Sequence, residues 1–255
     1  MMQKAVNTKF NLTFGKSAIV TGTSRGIGKE IAIQLLENNV NVFGISRTNP
    51  KNKIVHSKYK HLTFDLNNHV EIIYNIKKIL KGTDIHILVN NAGISIENIN
   101  EINKDVINFK KTLDINLISP FILMSLICEH QRKKKIKGKI INISSIGGIL
   151  GFPNNPAYQA SKSGLLGLTR AFARDYGKFE INCNAILPGY FKTEMNKKSY
   201  NNRKKRNERS NLSILNRWGE LSELISVITF LCSMQSSYIT GQEIIIDGGL
   251  ASKGL

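Results

Sequence analysis

Tyr158 and Lys162 stand four residues apart, the spacing at which two side chains share one face of a helix. A phenol of ordinary pKa, about 10, is a poor base at neutral pH, and a neighbouring ammonium favours the phenolate. Such a pair is suited to passing a proton to and from an oxygen atom. Ser144 and Ser145 precede it and are the two hydroxyls available to hold that oxygen as charge develops on it.

A second cluster can bind phosphate. Thr21-Gly22-Thr23-Ser24-Arg25-Gly26-Ile27-Gly28 follows a short apolar run and leads straight into a helical pattern from Lys29 to Glu37. Glycines there permit positive φ and close approach of an anion, while the new helix offers free N–H groups and the positive end of its dipole. Between a first strand and a first helix this is a dinucleotide-binding turn. An NAD site commonly places a carboxylate about 20 residues further on to hold the ribose 2′-hydroxyl. Here the sequence reads Ser46-Arg47-Thr48, with no acid to repel a 2′-phosphate. Arg47 and Arg25 can pair with such a phosphate, with Ser46 or Thr48 as a further donor, so NADP(H) is favoured over NAD(H). Hydride would then come from the nicotinamide while Tyr158 protonates the carbonyl oxygen, and oxidation reverses both transfers. Each pKa unit corresponds to about 1.4 kcal/mol, so a depression of the phenol by about two or three units is an ordinary demand on one close cation together with the charge of a nicotinamide.

Short β-branched runs and longer helical ones must position these groups. Strands are expected at Ser17–Thr21, Val40–Ile45, His61–Phe64, Ile85–Asn90, Lys139–Ile143, Ile181–Leu187 and Glu243–Ile246. Between them lie helical stretches at Gly26–Glu37, Val70–Leu80, Lys104–Lys134, Ala157–Tyr176 and Glu220–Met234. This alternation predicts an α/β fold: a single Rossmann-like, doubly wound domain over residues 15–255, with a seven-stranded, mostly parallel sheet covered by helices on both faces. Residues 1–14 read as a loosely held arm, and the long basic stretch 190–217 as an irregular substrate lid.

Composition narrows the classes. With 255 residues, 41% hydrophobic and 21% charged, the chain is neither disordered nor collagen-like. The apolar run Ile115–Cys128 is interrupted by Asn116, Ser119, Pro120 and Ser125 and falls short of the roughly 18 residues a membrane span needs. With no apolar core for a secretory signal near the start, a cytoplasmic protein without membrane contact is expected. Cys128, Cys183 and Cys232 read as buried thiols, and the five histidines, His56, His61, His69, His86 and His130, show no metal-ligand spacing, so no metal is expected. The net charge of +18 gathers at Arg132–Lys139 and at Lys192–Arg217, where nine Lys/Arg face Glu194 and Glu208. These runs read as solvated surface, and nucleic acid is not expected as a partner.

From about Leu12 to Gly249 the chain resembles the short-chain dehydrogenase/reductase family. Its TGxxxGxG turn is at Thr21–Gly28, NNAG at Asn90-Asn91-Ala92-Gly93, YxxxK at Tyr158 and Lys162, and PGxxxT at Pro188, Gly189 and Thr193. Ile239-Thr240-Gly241-Gln242 and Asp247-Gly248-Gly249 match the C-terminal signature. The resemblance implies a catalytic set of Asn116, Ser145, Tyr158 and Lys162, and selects Ser145 over Ser144 by its thirteen-residue spacing to Tyr158. It implies that Lys162 also binds the nicotinamide ribose and that Asn116 positions a water linking Lys162 to solvent. Coenzyme contacts are implied for Gly22, Ser24, Arg25, Gly26, Ile27, Gly28, Ser46, Arg47, Thr48, Asp65, Leu66, Asn91, Ala92, Gly93, Pro188, Gly189 and Thr193.

The overall pattern is similar to 3-oxoacyl-[acyl-carrier-protein] reductases. Gly147–Asn155, with Gly147, Gly148, Gly151 and Pro153, leaves room for an extended acyl substrate, and Lys134, Lys135, Lys137 and Lys178 are candidates for steering an acidic carrier protein. Phe10-Asn11-Leu12 and Arg217-Trp218-Gly219 are similar to gluconate-type dehydrogenases, which makes a sugar acid or polyol the alternative substrate. A non-catalytic NADP-sensing or nucleic-acid-binding module is a remote third reading, disfavoured by an intact catalytic set. Trp218 is expected to anchor the end of the lid. The family further implies a homo-oligomer, a dimer that doubles to a tetramer through the two long helices.

Overall fold

The computed structural model describes residues 13–50, 52–194 and 196–253. Its seven strands are β1 (Ser17–Thr21), β2 (Asn41–Ser46), β3 (Tyr59–Thr63), β4 (Ile87–Asn90), β5 (Gly138–Ile143), β6 (Ile181–Pro188) and β7 (Glu243–Ile246). They form one sheet of order β3-β2-β1-β4-β5-β6-β7 in which every pairing is parallel, so the expected sheet is present and wholly, not mostly, parallel. The order reverses between β1 and β4, and in such sheets ligands bind outside the carboxyl ends of the strands at that switch point.

Among the described residues eight α-helices connect and cover the sheet: α1 (Gly26–Glu37), α2 (His69–Gly82), α3 (Ile102–Leu113), α4 (Ser119–Lys134), α5 (Pro156–Tyr176), α6 (Lys197–Asn201), α7 (Arg203–Leu212) and α8 (Leu221–Cys232). Strand side chains alternate between two cores. Ala18, Val20, Val42 and Val89 pack against Ile31, Leu35 and Leu36 of α1 and Leu224, Ile228 and Leu231 of α8. Ile19, Ile45, Leu88 and Ile140 pack against Ile72 and Ile76 of α2, Leu123 and Ile127 of α4, and Phe172 of α5. The buried set of α1, Gly28, Ile31, Ala32, Leu35 and Leu36, recurs at three- and four-residue steps, which explains why this stretch is a helix lying flat on the sheet.

Three expectations change. The run Lys104–Lys134 is α3 and α4 joined by a π-helical turn, Asp114–Ile118, so helix continues from Ile102 to Lys134. That length and composition would suffice to cross a membrane, but half of its most apolar window is buried within the protein, among the side chains of α2 and α5. The segment 190–217 holds α6 and α7 rather than irregular chain, because Asn202 caps α7 by accepting from the Lys205 N–H at 3.0 Å. Residues 1–12, including the Phe10-Asn11-Leu12 motif, lie outside the described residues. Thr13 and Phe14 are firmly held: the Met234 N–H donates to the Thr13 carbonyl at 2.7 Å and Phe14 bridges Ser233.

Candidate active site

Helix α5 begins with Pro156 in its first turn, where the missing N–H is harmless and the fixed φ suits a helix. Lys162 falls on the buried stripe of α5 together with Ser161 and Leu165, and is 4% exposed. One turn earlier, Tyr158 projects from the same side, half-buried. The ammonium sits 5.7 Å from the centre of the Tyr158 ring and its Nζ donates to the Ile143 carbonyl at the end of β5, 2.7 Å away.

Ser145 and Ser144 follow β5 and have separate tasks. The Ser144 hydroxyl is buried and donates to the Lys162 carbonyl at 3.0 Å, which ties β5 to α5. Ser145 turns the other way: its Oγ accepts from the Gly147 N–H at 3.0 Å and, with the Tyr158 ring, borders the space beside Gly147. The choice of Ser145 thus has a geometric reason, since Ser144 has no free access to the phenol.

Burial, not the neighbouring ammonium, governs the ionisation of this pair. It raises the Tyr158 phenol above its ordinary value, with the Ser145 hydrogen bond opposing the rise. It also lowers Lys162 to about 8. In the protein without nucleotide the phenol is therefore not depressed, and the expected depression draws on the nicotinamide's charge as well as on the ammonium. Lys162 is drawn to the Ile143 carbonyl, and at 5.7 Å from the ring its field does not outweigh the loss of water around the phenol.

Asn116 lies in the π-helical turn, fully buried. Its Oδ1 accepts from the Ile94 N–H at 2.8 Å, and its Nδ2 donates to the Ile94 carbonyl at 2.8 Å and to Ser161 Oγ at 3.1 Å. A side chain at Gly93 would meet Asn116 Oδ1 at 3.2 Å and Lys162 Nζ at 3.6 Å, so these two groups flank one small space at the end of β4. Asn116 thereby clamps the loop after β4 onto α5, in the extra width that a π turn gives.

Around the switch point, Thr21 joins two loops. Its hydroxyl accepts from the N–H groups of Asn91 and Ala92, both at 3.0 Å, while Asn91 Nδ2 donates to the Thr21 carbonyl at 2.9 Å. Gly22 and Gly26 have φ of 77° and 58°, values that favour glycine over residues with a Cβ. A Cβ on Gly28 would collide with the Gly22 carbonyl and Asn91, so the helix starts unusually close to the strand. The first turn of α1 carries no acidic residue and no side-chain cap, leaving its N–H groups and dipole for an anion. These features fit a nicotinamide dinucleotide.

The other expected contacts distribute unevenly. Ser24, Asn91, Ala92, Gly93, Gly189 and Thr193 border the carboxyl ends of β1, β4 and β6, half-buried, with Pro188 buried beside them. Arg25, Arg47 and Thr48 are exposed. Ser46 is not a free donor, because its hydroxyl already donates to the Thr48 carbonyl at 2.7 Å, so it braces the turn instead of meeting a phosphate. Asp65 Oδ1 accepts from the Asn67 N–H at 2.9 Å, and Leu66 is buried in the core, its carbonyl bonded by Ser119. Thr21, which ties the glycine-rich turn to the loop after β4, was not singled out from the sequence, although it belongs to the glycine motif and its position there could have flagged it.

Lys134, Lys135, Lys137 and Lys178 are misplaced as guides to the mouth of the site. Helix α4 runs back from the carboxyl ends of the strands, so its last turn, the loop to β5 and the end of α5 lie at the opposite edge of the sheet. A cavity of about 710 Å³ bounded by Ala173, Arg174, Gly177 and Thr240 is also there, about 22 Å along α5 from Tyr158 at 1.5 Å per residue. Trp218 does anchor the segment 190–217: it is 6% exposed and its Nε1 donates to the Arg206 carbonyl at 3.1 Å.

Comparison with known proteins agrees with this geometry. A family model described as enoyl-(acyl carrier protein) reductase matches residues 22–251. The 3-oxoacyl-[acyl-carrier-protein] reductase FabG of Buchnera aphidicola subsp. Schizaphis graminum is 35% identical over 242 residues, covering 92% of this chain and 97% of that protein. A 4-hydroxyisoleucine dehydrogenase complexed with NADH superposes with a TM-score of 0.88 at 32% identity, covering 94% of this chain and all of that one, 100%. A gluconate 5-dehydrogenase from Burkholderia cenocepacia, in complex with NADP and tartrate, gives 0.85 at 27% identity over 96% of this chain and 98% of its own.

Proposed function

The chain belongs to the short-chain dehydrogenase/reductase family, and on that footing we propose an NADP(H)-dependent enzyme that reduces the ketone of a 3-oxoacyl thioester, with Tyr158 as its proton donor. The protein is an oxidoreductase that interconverts a carbonyl and a secondary alcohol with a nicotinamide coenzyme. The observation that carries the catalytic reading is the convergence of Ser145, Tyr158 and Lys162 at the carboxyl end of β5.

The bound coenzyme supplies or accepts hydride at the substrate carbon. Ser145 Oγ holds the substrate oxygen, and the neighbouring Tyr158 hydroxyl delivers its proton to the same oxygen as negative charge accumulates there. A phenol raised by burial is protonated at neutral pH, which suits the reductive direction. Lys162 holds positive charge beside the phenol, and the proton that Tyr158 gives up is replaced from solvent after turnover. Asn116 keeps the loop after β4 and α5 in register around that ammonium.

For the coenzyme, Arg25 and Arg47 are assigned to a 2′-phosphate, because both are exposed beside the glycine-rich turn and no carboxylate ends β2. For the substrate, Gly147 and Gly148 leave a wall of backbone near Ser145, and the loop 149–155 is tied to the segment after β4. Asn155 Nδ2 donates to Ser95 Oγ at 2.6 Å and the Asn98 N–H to the Asn154 carbonyl at 3.0 Å. Such a wall suits an extended, weakly polar chain.

A second reading, a sugar-acid dehydrogenase, is favoured by the proposed lid, residues 190–217. Lys192 and Arg206 lie over the Tyr200 ring at 4.9 and 5.5 Å, and Arg209 over Tyr190 at 4.7 Å. Among the described residues no carboxylate lies within 4.0 Å of these three cations, so an anionic substrate would find them unneutralised. Assembly into a homo-oligomer is proposed from Ile102, Ile107, Ile118 and Phe121, which leave an apolar strip exposed along α3 and α4. A monomer by light scattering at micromolar concentration would contradict it.

Oxidation of NADPH and of NADH with acetoacetyl-coenzyme A and with 5-ketogluconate separates these readings. Turnover of the thioester with NADPH supports the first; turnover of the sugar acid alone replaces it with the second.

A further inference from the structure

Thr23, Ser46, Tyr59 and His61 form a hydrogen-bonded chain that has no role in the chemistry described so far. Ser46 Oγ lies 3.1 Å from His61 Nε2, and His61 Nδ1 lies 2.9 Å from Tyr59 Oη. That Oη is 3.1 Å from Thr23 Oγ1. The chain joins three separate segments: the end of β2, the middle of β3 and the glycine-rich turn. Its two outer members, Ser46 and Thr23, are buried, while Tyr59 and His61 are half-buried.

The protons can be assigned. Burial, reinforced by the charge of Lys53, lowers the pKa of His61, so the ring is neutral near pH 7. A neutral imidazole has one donor and one acceptor. Since the Ser46 proton is committed to the Thr48 carbonyl, Ser46 Oγ can only accept from His61, so Nε2 is the nitrogen that donates to it. The turn Ser46-Arg47-Thr48 is thus held from beneath by a single imidazole.

The Phe64 N–H on the Ser46 carbonyl at 3.2 Å and Thr63 Oγ1 on Asn49 Oδ1 at 2.8 Å fix the two ends of this stretch, while Arg47 itself has no such tie. Arg47 is exposed and makes no ion pair among the described residues, so its direction follows the backbone on which it sits. Behind the turn, His61 and Tyr59 line an open cavity of about 240 Å³ together with Asn49, Pro50, Lys53 and Ile54. Loss of the imidazole would leave the turn next to empty space.

We propose that His61 is a positioning residue for the adenosine end of the coenzyme: through Ser46 it aims Arg47, and so sets the discrimination between NADP(H) and NAD(H). The proposal rests on the reading that Arg47 meets the 2′-phosphate. A coenzyme lacking that phosphate gains nothing from an aimed Arg47, so the relay matters for one coenzyme and hardly for the other. Tyr59 acts in the same way at one remove, because it orients the ring and ties it to Thr23.

Fluorescence titration of the full chain with NADPH and with NADH tests this, using wild type, His61→Ala, His61→Gln and Tyr59→Phe. Loss of one aiming hydrogen bond is expected to weaken NADPH binding about tenfold in His61→Ala and NADH binding less than about twofold. His61→Gln keeps a donor for Ser46 and has room in the cavity, so it should recover most of the loss; Tyr59→Phe should fall between. Equal weakening of both coenzymes in the variants would show a merely structural role and overturn the proposal. A wild-type preference for NADPH that survives His61→Ala overturns the relay alone, whereas wild type binding both coenzymes equally overturns the reading of Arg47 itself.

Discussion

Replacing Lys162 by Met should remove a pH-dependent penalty from the folded protein. Lys162 is 4% exposed, its ammonium is bonded to the Ile143 carbonyl, and burial lowers its pKa to about 8. In the unfolded chain the same amine keeps its proton to about 10.4. Below pH 8 both states are protonated and the full cost of the buried charge is felt. A depression of about 2.5 units corresponds to about 3 kcal/mol. As pH rises from about 8 to about 10.5 the unfolded state binds more protons, so stability rises with pH over that window. Met cannot titrate, and its loss of the bond to Ile143 is a constant offset of about 1–3 kcal/mol. Urea denaturation of the coenzyme-free protein at intervals from pH 7 to 10.5 should show wild type gaining about 3 kcal/mol relative to Lys162→Met. Lys139, buried on β5 and also lowered to about 8, adds its own rise to both curves and cancels in the difference. Parallel curves would mean that Lys162 titrates like a solvated lysine, and the reasoning about a desolvated ammonium beside Tyr158 would be wrong.

Ser145→Ala should lower kcat by about a hundredfold or more while Ser144→Ala keeps turnover and loses about 1 kcal/mol of stability, checked by paired kinetics and denaturation. Arg47→Ala should weaken NADPH binding about 10- to 100-fold with little change for NADH, as read by coenzyme fluorescence. Asn116→Ala leaves both backbone groups of Ile94 without their partner and should cost about 3 kcal/mol, a fall in Tm of roughly 6–10 °C by calorimetry. Because burial raises Tyr158, alcohol oxidation, which needs the phenolate, should climb with pH above neutrality, and a rate independent of pH from 7 to about 10 would contradict that direction.

Local pattern went far in this chain because most of its structure is local. Strand β1 and helix α1 follow from a five-residue apolar run and from apolar residues at helical spacing, and their bounds match expectation to the residue. The YxxxK pair is legible for the same reason, since four residues on a helix determine a shared face. Ionisation was not legible. Whether the ammonium or burial governs Tyr158 depends on how much water α5 and β5 exclude, which no spacing encodes. Charge runs misled in a related way. Lys134 and Lys178 are remote from the site because of where α4 and α5 end, a property of topology rather than composition. Helix α7 was hidden because its sequence, RKKRNERSNL, is polar on every face and lacks the apolar period by which helices are recognised. The brace of Ser46 by His61 joins residues fifteen apart on neighbouring strands, so only the register Ser46↔Thr63 reveals it.

Steady-state turnover of Tyr158→Phe, measured beside its NADPH affinity, bears most directly on the proton-transfer chemistry. The ring and its place on α5 are kept while the hydroxyl beside Ser145 is removed. The expected result is a fall in kcat of about a thousandfold or more, with the dissociation constant for NADPH within about threefold of wild type. A variant that turns over within tenfold of wild type would show that the proton comes from another group.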